Sequence, residues 1–220
     1  MSIEQNLKYI KSQLPENVTL VAVSKTKPVS DLMEAYGAGQ LIFGENKIQE
    51  MADKWEQMPK DIHWHMIGHV QTNKVKFMAS FVSLIHGVDS LKLLIEINKQ
   101  AKKNNRVIDC MLQMHIAEEE TKFGLDENEL HELIQSEEFK QLYNINIVGL
   151  MGMATFTENQ SQIRKEFTYL KSIFDATKNL KSKTLNLKSL SMGMSGDYQL
   201  AIECGSNMVR IGSSIFGGRN

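Results

Sequence analysis

The strongest constraint in this sequence is an alternation of short apolar segments with longer amphipathic ones, which occurs eight times along the chain. The apolar segments are rich in β-branched residues and have the length of strands buried on both faces of a parallel sheet. We predict strands at Val18–Lys25, Leu41–Asn46, His63–Gly68, Val82–Asp89, Val107–Ile116, Ile145–Ala154, Leu185–Met194 and Met208–Gly217. Helical periodicity predicts helices between them, from Ser30 or Asp31 to Ala38 and at Lys47–Met58, Asn73–Phe81, Ser90–Asn104, Asp126–Gln135, Asn159–Leu180 and Asp197–Cys204.

Eight strand–helix units predict the α/β class and a closed (β/α)₈ TIM barrel, formed by a single domain over residues 1–220. A doubly wound open sheet would show the same alternation, but it would carry a Gly-rich fingerprint after its first strand, and this chain has none there. Residues 2–14 have an apolar stripe at helical spacing, which predicts an additional N-terminal helix that packs against the barrel.

Composition excludes several classes of function. The net charge is −1, so neither a nucleic acid nor a strongly basic partner is expected. No apolar run approaches the roughly 18 residues that a membrane helix needs, and the N-terminus has no signal core. Cys110 and Cys204 lie far apart and are interpreted as reduced thiols of a cytoplasmic protein. We expect a monomer with no metal site.

The first strand ends in a lysine that continues a row of valines. Alternation places Val21, Val23 and Lys25 on one face of this strand. Loss of hydration lowers the pKa of a lysine, and the neutral amine can form a Schiff base with a carbonyl compound. Lys25 is therefore a candidate nucleophile, although a side chain that reaches out to water would explain the same pattern.

Two segments near the C-terminus have the composition of an anion site. Ligands of such barrels lie at the carboxyl ends of the strands, and phosphate often binds after strands seven and eight. The segment SMGMSGD supplies small residues before a helix, and RIGSS supplies an arginine, a glycine and two hydroxyls. Arg210 faces the barrel interior if Val209 and Ile211 face the helices. Ordinary turn chemistry would explain either segment alone, but with an inward lysine they suggest an aldehyde that carries a phosphate.

The sequence resembles the pyridoxal phosphate homeostasis protein family, whose fold is similar to the barrel domain of alanine racemase. The resemblance rests on motifs that span nearly the whole chain in the family's order. These are VAVSKTKP (Val21–Pro28), FGENKIQE (Phe43–Glu50), WHMIGHVQTNK (Trp64–Lys74), TKFG (Thr121–Gly124), GLMGMA (Gly149–Ala154), LSMGMSGD (Leu190–Asp197) and MVRIGSSIFG (Met208–Gly217).

The resemblance implies that the cofactor is pyridoxal 5′-phosphate (PLP) and that Lys25 carries it as an internal aldimine. It implies that Arg210 faces the pyridine nitrogen, that Asn46 lies near the ring, and that three residues hold the phosphate: Ser191, Gly212 and Ser213. It also implies a cytoplasmic, non-catalytic protein of PLP homeostasis. Such a protein would buffer a reactive aldehyde or hand it over, with PLP-dependent apoenzymes or free amino acids as partners.

Two enzymatic alternatives remain open. A small amino-acid racemase needs an acid/base group on each face of the substrate's α-carbon. Lys25 could serve one face, and Tyr198 is the tyrosine nearest to a predicted ligand loop. A phosphate-sugar enzyme with Lys25 as an aldolase-type base is the other alternative.

Several other groups are assigned to the packed core or to loops. His63 and His65 share one strand face, but no third metal ligand is placed beside them. Buried histidines with satisfied hydrogen bonds would explain His86 and His115. Lys122, in the TKFG motif, belongs either to a lid or to a solvated loop.

Overall fold

The computed structural model of the chain describes residues 2–119, 123–180 and 182–218. Within these ranges, eight parallel strands form one closed barrel, and the last strand pairs with the first. The strands are β1 (Thr19–Val23), β2 (Ile42–Glu45), β3 (His63–Met66), β4 (Leu84–Val88), β5 (Ile108–Gln113), β6 (Ile145–Met151), β7 (Leu185–Met194) and β8 (Met208–Ile211). The predicted (β/α)₈ barrel is confirmed.

The helices surround the barrel. They are α1 (Ile3–Gln13), α2 (Val29–Gly37), α3 (Ile48–Gln57), α4 (Leu91–Lys103), α5 (Glu127–Gln135), α6 (Glu137–Lys140), α7 (Gln160–Lys178), α8 (Tyr198–Glu203) and α9 (Ser213–Phe216), with a 3₁₀ helix at Thr72–Phe77. None of the helices in the described part of the chain is long and apolar enough to cross a membrane.

The core has two layers, as the alternation of side chains along buried strands requires. The inner layer fills the barrel with six buried side chains: Val21, Leu84, Met111, Val148, Met151 and Met208. The larger outer layer lies between the sheet and the helices and includes Leu20, Ala22, Phe43 and Trp64. Val21 therefore faces the barrel interior. Burying one such large side chain contributes roughly 1.5–3 kcal/mol, so both layers stabilise the scaffold.

The N-terminal helix packs as predicted. Ser2 caps it in a capping box with Gln5, and Leu7 and Ile10 are its buried residues. The side-chain amide of Asn6 donates to the carbonyl oxygen of Ile215 at 3.0 Å, so α1 is joined to α9.

Three local predictions were wrong. The eighth strand ends at Ile211, and Ser213–Phe216 forms α9. The chain turns at Gly212, whose backbone conformation is neither helical nor extended. The helix predicted at Asn73–Phe81 is a shorter 3₁₀ helix. The N-cap of α2 is Pro28, without a side-chain cap, and not Ser30 or Asp31. The short helix α6 was not predicted.

Candidate ligand-binding site at the carboxyl ends of the strands

Lys25 lies in the turn that follows β1 and is half-buried. The next residue, Thr26, has a φ of 64°, a left-handed conformation that β-branched residues rarely adopt. Hydrogen bonds hold this backbone, since Thr26 N donates to Glu50 Oε1 at 2.6 Å and Lys54 Nζ donates to the carbonyl oxygen of Ser24 at 2.8 Å. The lysine is therefore attached to a fixed point at the barrel mouth.

Arg210 lies inside the barrel on β8, next to β1. Its register partner is Val21, so both side chains occupy the inner face. The Nη1 atom donates to the carbonyl oxygen of Ser191 at 2.9 Å and to its Oγ at 2.6 Å, and Nη2 donates to the carbonyl oxygen of Gly152 at 3.1 Å. Burial lowers the pKa of Arg210 to about 10, against an opposing effect of Asp197, so the guanidinium stays charged at neutral pH.

Two buried histidines extend the hydrogen bonds of Arg210 across the barrel interior. Ser191 Oγ lies 3.2 Å from His86 Nδ1, and His86 Nε2 lies 3.1 Å from His65 Nδ1. Burial lowers the pKa of His65 to about 3 and that of His86 well below its ordinary value, and the charge of Arg210 adds to the effect on His86. A neutral imidazole donates from one nitrogen and accepts at the other. With neutral histidines, each group therefore donates to the next, from Arg210 to Ser191, to His86 and to His65.

The loops after β7 and β8 form a second part of the mouth. Gly193 has a φ of 96°, and a Cβ there would lie 2.6 Å from the Cβ of Ala201, so a side chain is excluded. Gly212 N donates to Ser195 Oγ at 3.3 Å, so this hydroxyl joins the loops after β7 and β8. Ser213 begins α9, where the first backbone N–H groups of a helix have no partner within it. The loops thus present donors suited to an anion.

The six predicted site residues all lie at or just below this mouth. Asn46 follows β2 and is half-buried, and a Cβ on Gly68 would lie 2.5 Å from its carbonyl oxygen, so the loops after β2 and β3 approach closely. The predicted phosphate role of Ser191 stays a prediction, but its buried hydroxyl already has two protein partners. Ser195 stands in the quoted SMGMSGD motif but was not predicted as a site residue; its Oγ accepts from Gly212 N in the loop after β8.

The rim on the opposite side carries a stacked ring pair. His69 and Phe123 stack with ring centroids 4.3 Å apart, and His69 Nδ1 lies 3.3 Å from Asp89 Oδ2. His115 follows β5, and its Nε2 lies 3.0 Å from the carbonyl oxygen of Glu119. Lys122, predicted as part of a lid, lies outside the described residues.

The residues set aside from the site are placed as follows. Cys110 is buried in the outer layer, and burial raises the pKa of its thiol, as expected for an inert cysteine. Tyr198 is buried on α8 and packs in the outer layer. His63 is exposed at the start of β3.

Comparisons with known proteins show the family of this chain. The alanine racemase N-terminal domain model matches residues 1–220. The pyridoxal phosphate homeostasis protein of Vibrio alginolyticus is 38% identical over 100% of this chain and 98% of its own. That of Aquifex aeolicus is 40% identical over 91% of this chain and 86% of its own. The chain belongs to the pyridoxal phosphate homeostasis protein family, within the alanine racemase N-terminal domain family.

Two solved structures have a fold similar to that of this family member. PipY of Synechococcus elongatus, solved with PLP bound, is 34% identical, with a TM-score of 0.89 over 98% of this chain and 100% of that chain. Alanine racemase of Bartonella henselae is 17% identical, with a TM-score of 0.75 over 98% of this chain and 58% of that chain. The latter shows the shared fold alone.

Because His65 and His86 are buried, we predict that the free energy of unfolding falls in acid. In the folded protein the pKa values of His65 and His86 are lowered, to about 3 for His65, whereas the unfolded chain protonates each near pH 6.5. The unfolded state therefore binds more protons below about pH 6.5. Each histidine decreases the free energy of unfolding by up to about 1.4 kcal/mol per pH unit as the pH falls from there towards its folded-state pKa.

Urea unfolding at a series of pH values from about 7.5 down to about 5 measures this dependence. The variant His65→Gln should reduce the slope by up to about 1.4 kcal/mol per pH unit, because one of the two buried imidazoles is gone. His131→Gln, at an exposed position on α5, is the matched control and should keep the slope of the wild type. Equal slopes for the wild type and His65→Gln would contradict the prediction.

Proposed function

We propose that this protein binds PLP at the carboxyl ends of the strands, through a Schiff base with Lys25, and serves PLP homeostasis. The observation that carries the proposal is the pairing of β1 with β8, which puts Val21 beside Arg210 on the inner face. Lys25 lies two residues beyond the end of β1, in the turn at the mouth. An amine that can bond to an aldehyde and a cation that can face a ring nitrogen therefore line the same side of one opening.

The residues at the mouth fit the three polar ends of PLP. Three hydrogen bonds join the Arg210 guanidinium to Ser191 and Gly152, and a guanidinium has five N–H donors in all. The loops after β7 and β8 combine a hydroxyl on Ser195 with the start of α9 at Ser213, as a phosphate group requires. Lys25 supplies the amine for the aldehyde.

We propose that the predicted phosphate residues have different roles. Gly212 and Ser213, together with Ser195, hold the phosphate. Ser191 supports Arg210, because its hydroxyl and its carbonyl oxygen both accept from the guanidinium. Asn46 lies beside the ring.

Arg210 supports a role in carrying the cofactor more than in catalysis. Bound PLP supplies an aldehyde and a ring that withdraws electrons most strongly when its nitrogen is protonated. A carboxylate beside that nitrogen would stabilise the proton, whereas a guanidinium that is already charged can only donate a hydrogen bond. Arg210 therefore keeps the ring nitrogen unprotonated and the ring a weak electron acceptor.

The racemase alternative needs a second acid/base group opposite Lys25. All five tyrosines are among the described residues, and none stands on a barrel strand. Tyr198 is the one nearest to the mouth in sequence, but it is buried in the outer layer and not in the barrel interior. This arrangement supports a non-catalytic protein.

The remaining parts of the proposal concern the setting. We place the protein in the cytoplasm as a monomer, with the whole chain, residues 1–220, as one PLP-binding domain. Its partners are PLP and the acceptors of PLP, either PLP-dependent apoenzymes or free amino acids.

Borohydride trapping tests the covalent link. Reduction of the PLP-loaded protein should fix the cofactor on the peptide that contains Lys25, as peptide mass mapping would show. Lys25→Ala should abolish the adduct. Lys27→Ala is the matched control and should retain it, because Lys27 Nζ donates to the carbonyl oxygen of Gly218 at 2.9 Å. An adduct on Lys27 or Lys74 in the wild type would refute the assignment.

Exchange of the α-hydrogen tests the non-catalytic role. With L-alanine and other L-amino acids in deuterated water, the PLP-loaded protein should show slow or no α-deuteration, because the ring is a weak electron acceptor and no tyrosine of the described residues stands on a barrel strand. Mass spectrometry and chiral chromatography measure the products. Deuteration with accumulation of the D-enantiomer at about 1 s⁻¹ or faster, as in ordinary enzymes, would favour the racemase.

A further inference from the structure

A buried ionic cluster lies directly behind Lys25, on the outer face of the sheet. It consists of Ser24, Glu45 at the end of β2, and Glu50 and Lys54 on α3, and is called the Lys54 cluster below. Lys54 is only 5% exposed, and its Nζ donates to Glu45 Oε1 at 2.8 Å and to Glu50 Oε1 at 2.7 Å. Ser24 Oγ donates to the same Glu45 oxygen at 2.6 Å. Lysine is almost never buried without such partners.

The hydrogen bonds of the Lys54 cluster converge on the backbone at both sides of Lys25. On one side, the carbonyl oxygen of Ser24 accepts from Lys54 Nζ at 2.8 Å. On the other side, Thr26 N donates to Glu50 Oε1 at 2.6 Å. Lys25 is therefore held between two fixed peptide groups, both of which are anchored to α3.

The clamped backbone is one that the chain would not adopt without support. Thr26 has a φ of 64°, and a non-glycine residue persists in this left-handed region only when its surroundings impose it. The residue is exposed, so packing of its side chain does not impose the conformation. Two hydrogen bonds hold the turn: Lys27 N donates to the carbonyl oxygen of Ser24 at 3.1 Å, and Thr26 N donates to Glu50 Oε1 at 2.6 Å.

Ordinary packing between α3 and the sheet does not explain the cluster. Ile48 and Met51 already bury the apolar face of the same helix. Well-packed apolar residues would serve that contact as well as buried ions, which are expensive to desolvate. One oxygen of the cluster, Glu45 Oε2, is buried with no hydrogen-bond partner among the described residues. Such an orphaned group is destabilising, which points to a role other than stability.

We infer that Glu50 and Lys54 are positioning residues, which hold the turn at residues 24–26 so that Lys25 Nζ points at the PLP aldehyde. This inference rests on the proposed function, since it needs Lys25 to be the residue that bonds the cofactor. Neither residue touches PLP. Glu50 and Lys54 reduce the number of orientations of Lys25, which favours the Schiff base over the free amine and aldehyde.

The test compares PLP with pyridoxine 5′-phosphate, which has the same ring and phosphate but no aldehyde. In Glu50→Ala, the affinity for PLP should fall on the order of tenfold, because one hydrogen bond to a charged acceptor is lost beside Lys25. The affinity for pyridoxine 5′-phosphate should stay at the wild-type value. Visible absorbance and equilibrium dialysis measure the two ligands.

The chain offers a matched control and a conservative rescue. Glu4 and Lys8 form another Glu–Lys pair four residues apart on a helix, at 2.6 Å on the surface, so Glu4→Ala should change neither affinity. Glu50→Gln keeps an oxygen that accepts from Thr26 N, and it should retain most of the PLP affinity. If Glu50→Ala does not fold, Thr26→Pro at the exposed turn is the second variant. Proline removes the donor N–H and excludes positive φ, so the same selective loss is expected.

The outcomes separate the inference from the proposed function. An unchanged PLP affinity in Glu50→Ala would overturn the inference. The proposed function would still stand in that case if PLP is trapped on Lys25 in the wild type. An equal loss for both ligands would also overturn it, since general damage to the site, and not the orientation of Lys25, would be the cause. If the wild type itself formed no Schiff base at Lys25, the proposed function and the inference would both fail.

Discussion

Closure of the barrel between β8 and β1 is the constraint on which the candidate site depends. Strands at opposite ends of the chain meet there, and their register sets Val21 beside Arg210. In an open sheet these two strands need not be neighbours. Because parallel strands all point their carboxyl ends the same way, closure also brings the turn after β1 next to the loops after β7 and β8. The turn that carries Lys25, the guanidinium of Arg210 and the loops after β7 and β8 thus lie at one opening.

Buried polar groups surround this opening, and they are arranged in two separate networks. One lies inside the barrel and runs from Arg210 through Ser191 and His86 to His65. The other is the Lys54 cluster, which lies outside the sheet behind Lys25. Burial of charged groups usually reduces stability compared with apolar packing. Both networks lie towards the carboxyl end of the barrel. One includes Arg210, and the other adjoins the turn that carries Lys25.

The sequence alone was sufficient for the barrel and for the inward orientation of Arg210. Alternation along β1 and β8 predicted that Lys25 and Arg210 share the inner face, because side-chain period is a local property of a strand. The two networks could not be predicted in this way. His86 and Ser191 are 105 residues apart, and Ser24 and Lys54 are 30 apart. Only the folded register brings such pairs together. The end of β8 was also missed, because an apolar run does not show where Gly212 turns the chain into α9.

A crystal structure of the protein loaded with PLP is the most direct test of the central claim that one PLP molecule bridges Lys25 and Arg210. It should show the aldehyde carbon bonded to Lys25 Nζ and the ring nitrogen about 2.7–3.2 Å from a nitrogen of the Arg210 guanidinium. The phosphate should lie against Gly212 and Ser213. A cofactor bonded to another lysine, or a ring nitrogen turned away from Arg210 towards solvent, would contradict the claim.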